Sequence, residues 1–152
     1  MYFKNWKSFW PLLAAILVVA AGAVYFWKFY KKYVPTEQLY TITRAPKGEI
    51  VTGFPQDLLV EKNPVVEDSY SLAYSAGNLN QPVVTYVSNW PMVQNVAQFG
   101  AYLRNNGWTI THEADPFAKN TFYYASKDNN DANITLSTEA EKVRVTISYV
   151  KR

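Results

Sequence analysis

Any chemistry in this chain would have to gather around His112, the only histidine, which Glu113 and Asp115 follow closely. An imidazole beside two carboxylates could ligate a metal ion, or act as a base oriented by an acid. One histidine excludes the multi-histidine metal sites, and a working site needs convergent partners that the sequence does not supply. A strand-end histidine on a polar rim is therefore the simpler expectation. A second oxygen-rich cluster, Asp128-Asn129-Asn130-Asp131, could hold calcium, but it lacks the glycine and distal glutamate of a calcium loop. Asp and Asn tolerate left-handed backbone, so a hairpin turn is expected there. The absence of cysteine removes disulfides, thiolate nucleophiles, cysteine-ligated metals and a lipidated-cysteine anchor. No glycine-rich phosphate loop and no Gly-x-Ser-x-Gly elbow occurs. Asn133-Ile134-Thr135 matches a glycosylation sequon but falls inside a strand pattern. No catalytic residue, metal ligand or cofactor is assigned, and the chain is not expected to be an enzyme.

The chain has 152 residues, room for one domain and an anchor, and 49% of them are hydrophobic, too many for a disordered protein. Its formal charge of +3 is unevenly placed. Five of the fifteen Lys and Arg residues (Lys4, Lys7, Lys28, Lys31 and Lys32) lie in residues 1–32, which hold no acid. The other ten face all twelve Asp and Glu, so the rest of the chain is mildly acidic. Nucleic-acid binding requires a cationic stripe that displaces counterions, and none is present.

Phe9–Trp27 reads FWPLLAAILVVAAGAVYFW without a charge. As a helix rising about 1.5 Å per residue it would cross the hydrocarbon layer of a bilayer. Trp10, Leu12, Leu13, Ile16, Leu17, Val18 and Val19 would face lipid, with Tyr25 and Trp27 at the far interface. Lysines outside these aromatics can reach water. The alternative is a cleaved signal: Lys4 and Lys7 precede an apolar core, and Ala21-Gly22-Ala23 has the small-x-small pattern, which would give a secreted protein. Cleavage there would leave Val24-Tyr25-Phe26-Trp27 as an apolar new terminus, which fits better as a membrane interface. The lysines after the span mildly favour a cytoplasmic domain by the positive-inside rule. A short basic N-tail behaves as an uncleaved signal, however, and long domains translocate largely regardless of charge, so the domain is expected outside the cytoplasm. Its Thr-, Ser-, Asn- and Tyr-rich strand sequence fits that side.

The expected organisation is an anchor over residues 1–32, a stalk over 33–48 with a short strand near Leu39–Thr43, and an α+β domain over 49–152. Tyr70, Leu72 and Tyr74 alternate with Ser69, Ser71 and Ser75, a half-buried strand. Gly77-Asn78-Leu79-Asn80 turns into a second strand, Pro82–Ser88. Ser88 or Asn89 can cap a helix that starts at Pro91, presents Met92, Val96, Phe99 and Leu103 on one face, and stops at Gly107. Four alternating strands then follow, around Ile110, Phe122–Ala125, Ile134–Leu136 and Val143–Tyr149. The order β-β-α-β-β-β-β makes a two-layer fold, a largely antiparallel sheet with one helix on one face and water on the other. Part of the apolar face would stay bare under one helix, and Glu49–Pro64, with Phe54, Leu58, Leu59 and Val60, is expected to cover it.

Type IV pilins also combine an apolar N-terminal helix with a β-rich head, but this chain has no processed Gly or Ala before a Phe and no Glu five residues into the apolar run. Gly53-Phe54-Pro55, Asp68-Ser69-Tyr70-Ser71, Val84-Thr85-Tyr86-Val87-Ser88 and Asn106-Gly107-Trp108-Thr109-Ile110 resemble segments of single-span envelope proteins from reduced-genome bacterial lineages, over roughly residues 50–150. The resemblance implies the anchored α+β architecture and carries no activity. The function expected is a non-enzymatic one at the membrane, binding another protein or another copy through a Ser/Thr-rich sheet face bearing Thr109, Thr111, Tyr123, Arg144 and Thr146. The second expectation, from a different class, is a sensor or carrier that binds a small ligand between helix and sheet, lined by Tyr70, Tyr74, Trp108 and Tyr124.

Overall fold

The computed structural model describes residues 25–28, 40–75 and 79–152. Residues 25–28 are helical and exposed. The span residues Trp10, Leu12, Leu13, Ile16, Leu17, Val18 and Val19 lie outside the described residues, as do residues 33–39 of the expected stalk and Gly77-Asn78 of the expected turn. Among the described residues no helix is long and apolar enough to cross a membrane.

Leu39–Arg152 folds as one unit. Its elements are β1 (Tyr40–Arg44), a 3-10 turn (Gln56–Leu58), β2 (Val65–Tyr74), β3 (Asn80–Ser88), α1 (Met92–Asn105), β4 (Thr109–His112), β5 (Asn120–Lys127), β6 (Asn130–Glu139) and β7 (Lys142–Lys151). The strands form a seven-stranded sheet in the order β1-β2-β3-β7-β6-β5-β4, antiparallel at every pairing. After β3 the chain crosses over through α1 to the far edge. It then returns as the meander β4-β5-β6-β7, which sets β7 against β3. The folded unit begins before Glu49, because Tyr40–Arg44, placed by sequence in the expected stalk, is a sheet strand paired to β2.

The helix ends where its sequence says it should. Gly107 takes φ +73°, and the backbone N–H groups of Trp108 and Gly107 donate to the carbonyls of Leu103 and Arg104, a Schellman closure. At the other end the cap is indirect. Pro91 holds the N-cap position without a side-chain bond, while the Ser88 hydroxyl accepts the N–H of Trp90 at 3.0 Å. Val96, Phe99 and Leu103 are buried against Ile134, Leu136, Val145 and Ile147. Val51, Phe54 and Leu58 join the same core, so the segment after β1 covers the sheet that α1 does not reach.

That segment is fastened by a buried carboxylate. Glu61, 4% exposed, accepts hydrogen bonds from the Ser88 hydroxyl (2.6 Å), the Asn89 backbone (2.9 Å) and the Asn89 amide (2.8 Å). Fully buried Asn95 donates to the carbonyls of Trp90 and Pro91. Each polar group so enclosed has a partner, which is the condition for burying it without a large penalty.

Two strands present the opposite face from the one their alternation suggests. In β2, Ser69 and Ser71 turn toward the covered side, and Tyr70, Leu72 and Tyr74 toward the open one, since Ser69 pairs with core Val84 and Tyr70 with Val83. The cause is close backbone approach. The Ser69 hydroxyl accepts the N–H of Val51 at 2.9 Å and donates to the carbonyl of Val83 at 3.1 Å, which a large side chain would prevent. In β5, Tyr123 is inside, at 2% exposure, and Phe122 and Tyr124 are outside. Tyr123 stands under α1 at Gly100, where an added Cβ would lie 2.8 Å from its hydroxyl oxygen. Gly100→Ala should therefore destabilise the domain by about 1–3 kcal/mol in chemical denaturation, although alanine is the better helix former. Tyr123→Phe in the same chain should recover part of that loss; a more stable single variant would show that the ring does not approach the helix.

Candidate interaction face

The helix-covered side carries the core, so the sheet surface open to contact is the other face. Its residues follow from the register. Arg44, Tyr70, Val83 and Ser148 are linked across β1, β2, β3 and β7. Thr85, Thr146, Thr135 and Phe122 are linked across β3, β7, β6 and β5. The centre is thus hydroxyl-rich, with Thr85 and Thr146 bonded to each other at 3.1 Å. The flanks are aromatic and aliphatic. Tyr40 (41% exposed), Ile42 (45%) and Tyr74 lie on one side, with Tyr40 and Tyr74 rings 6.1 Å apart. Phe122 (39%) and Tyr124 (36%) lie on the other.

Of the five residues expected here, Thr109, Thr111, Arg144 and Thr146 do not lie in the core. Thr109 and Thr111 are exposed on β4, and the Thr111 hydroxyl donates to the carbonyl of Tyr124 at 3.2 Å. Arg144 and Thr146 sit three strands away on β7, so the four make no compact cluster. Arg144 bonds Glu67 at 2.9 Å and also pairs with Glu139; the Glu67 hydrogen bond, and then both carboxylates' charges, raise its pKa above the ordinary arginine value. Tyr123 is the correction: it belongs to the core, its hydroxyl donating to the carbonyl of Val96 at 2.9 Å. Three aromatics in a row, Phe122-Tyr123-Tyr124, leave the strand's phase undecided from alternation alone. The signal that could have decided it is Ala125, which shares Tyr123's side of the strand and faces Ala132 across the ladder, both of them buried.

His112 reaches the open face because of a bulge. The register slips between Ile110 and His112, so Ile110 pairs with core Ala125 and His112 with Tyr124. Its ring stacks on Phe122 at 3.9 Å and 12°. Glu113 pairs instead with Arg104 on the helix, and the Asp115 carboxylate accepts the N–H of Phe117 at 2.9 Å. The three residues that could have made a site are each engaged elsewhere, and no group of three His, Asp or Glu among the described residues could hold a metal. At the β5–β6 turn Asp128 takes φ +52°, Asp131 pairs with Arg152, and Asn130 accepts from the Tyr149 hydroxyl at 2.6 Å.

No family, curated protein or solved structure matches the chain.

The residues of the ligand-binding alternative do not meet. Tyr70, Tyr74 and Tyr124 stand on the open face, whereas Trp108 packs against the core. Two grooves, of about 510 and 640 Å³, flank β1 and the β3–α1 corner respectively, and neither takes a lining residue from α1.

Inside the core, burial raises the Tyr123 phenol pKa above its ordinary value, with Arg104 opposing. It raises that of Tyr86 further, with the Glu61 charge adding to it, and the Tyr86 hydroxyl has no partner among the described residues. Above about pH 10 the unfolded chain releases phenolic protons that the native state keeps. Stability from these groups is complete below that point and declines as pH rises toward the folded pKa. Denaturation series should show the unfolding free energy falling in alkali, with a shallower fall for Tyr86→Phe. At neutral pH Tyr86→Phe should be neutral or stabilising and Tyr123→Phe should cost about 1 kcal/mol, since only the second loses a bond. Equal losses would mean that the Tyr86 hydroxyl is bonded.

Proposed function

We propose that this chain is a single-pass membrane protein, with Phe9–Trp27 as its span, whose α+β domain lies outside the cytoplasm and acts non-enzymatically by binding protein at the membrane. The observation that carries the reading is the run of nineteen uncharged residues bracketed by aromatics and lysines at bilayer spacing. Tyr25, Phe26 and Trp27 are helical and exposed, in keeping with an aromatic belt at the interface. The resemblance to single-span envelope proteins points the same way. For the domain, support comes from a broad sheet face that neither α1 nor the Glu49–Pro64 segment covers. Its hydroxyl-rich centre and aromatic flanks are chemistry suited to a protein surface, where aromatics supply contact area and polar groups supply register.

Cell fractionation tests the span and the side together. The full-length chain should stay with membranes after alkaline carbonate, enter solution with detergent, and lose its domain to protease added outside intact cells. Release by carbonate at full length would overturn the span. A shortened soluble product beginning after Ala23 would make the protein secreted, and a protease-resistant domain in intact cells would place it in the cytoplasm.

A further inference from the structure

We propose that β1 is a self-pairing edge: two copies of this chain join their sheets through an antiparallel β1–β1 ladder about a two-fold axis at Ile42. The proposal deepens the protein-binding reading by naming a second copy as the partner, and it does not depend on the span.

The backbone supplies the first argument. Ala45 donates its N–H to the carbonyl of Ser69 at 2.9 Å, one step beyond the Arg44–Tyr70 pair. Hydrogen-bonded and non-bonded pairs alternate along an antiparallel ladder, so Thr43 and Thr41 also bond inward to β2. The N–H and C=O groups of Tyr40, Ile42 and Arg44 therefore point away from β2, where the sheet order places no further strand among the described residues. All five residues of β1 are exposed.

The second argument is the sequence of the strand. Laid antiparallel on itself, Tyr-Thr-Ile-Thr-Arg is complementary at each position. Ile42 meets Ile42, Thr41 meets Thr43, and Tyr40 meets Arg44, a ring against a guanidinium. The register that matches the side chains is also the one in which the three outward residues form bonded pairs, about six hydrogen bonds in all. A two-fold contact requires this self-complementarity. Arg44 lies on the open face, where Asp68 holds it at 2.5 Å and its guanidinium covers the Tyr70 ring, 5.1 Å from the centroid.

The two sheet edges differ in their protection. Strand β4 is four residues long and broken by a bulge, devices that discourage edge pairing. Strand β1 runs in regular register with β2 and contains no proline, lysine or bulge. Joined edge to edge, the two copies would set Ile42 of both chains side by side, place Tyr40 of each against Arg44 of the other, and extend the open face across the junction.

The chain's lack of cysteine makes the test direct. In the full-length protein, in membranes or detergent, Ile42→Cys should form a disulfide-linked dimer on mild oxidation, its Cα atoms lying about 5.5 Å apart. Thr43→Cys should give about tenfold less, since like residues there are too far apart to bridge, whereas an equimolar mixture of Thr41→Cys and Thr43→Cys should crosslink efficiently. Ile42→Lys, on an exposed position that leaves the fold intact, should shift the uncrosslinked chain from dimer to monomer in sedimentation. Equal crosslinking at 42 and 43, or an unchanged mass for Ile42→Lys, would overturn the proposal. Membrane pelleting of the same samples reads the span separately, so a monomer that pellets would refute the edge pairing and leave the anchor standing.

Discussion

The Tyr123 hydroxyl reaches across the layer between sheet and helix to the carbonyl of Val96, through a gap that Gly100 keeps open. Much follows from that contact. With Tyr123 inside, Phe122 and Tyr124 must stand outside, because side chains alternate along a strand. Register then carries the phase from β5 through β6 and β7 to β3, setting Ile134, Leu136, Val145, Ile147, Val84 and Tyr86 against the helix. Thr135, Thr146 and Thr85 fall on the open side for the same reason. A shift of one residue would exchange the two sets and expose the core. Burial of a tyrosine here also has a requirement that a phenylalanine would not: the hydroxyl needs an acceptor, and the helix backbone provides one.

The other half of the sheet is covered by different means. One helix of fourteen residues cannot span seven strands. The chain between β1 and β2 lays Val51, Phe54 and Leu58 over what remains. It is held at one end by the Ser69 hydroxyl and at the other by Glu61, which takes three hydrogen bonds from the β3–α1 corner. The helix and this segment thus lie on one side of the sheet, and neither covers the second side.

Much of this was legible in the residues. The helix between Pro91 and Gly107, the four-strand meander after it, the covering role of Phe54 and Leu58 and the strand near Thr41 all follow from periodicity, caps and turn chemistry. The phases of β2 and β5 did not. In β2 the apolar residues Tyr70, Leu72 and Tyr74 face out, because serines are what the close-packed backbone of Val51 allows on the other side. In β5 every candidate was aromatic, so hydrophobicity carried no information about direction. The bulge that moved His112 away from Ile110's side has no signature in composition. Thr109 and Thr111 are exposed and Arg144 and Thr146 half-buried, as hydroxyls and charge on a half-wetted strand would have them. The aromatic flanks were missed because exposed tyrosine reads as core in a one-dimensional pattern.

A bare face flanked by aromatics is the surface that the proposed protein-binding role would use. Whether that face is bare depends on the phase of β5, and thiol labelling of single-cysteine variants reads the phase directly in a chain with no cysteine of its own. Phe122→Cys and Tyr124→Cys should label in the native protein at the rate of exposed thiols, while Thr121→Cys and Ala125→Cys should label only on unfolding. Fast labelling at 121 and 125 with protection at 122 and 124 would invert the sheet and contradict the account.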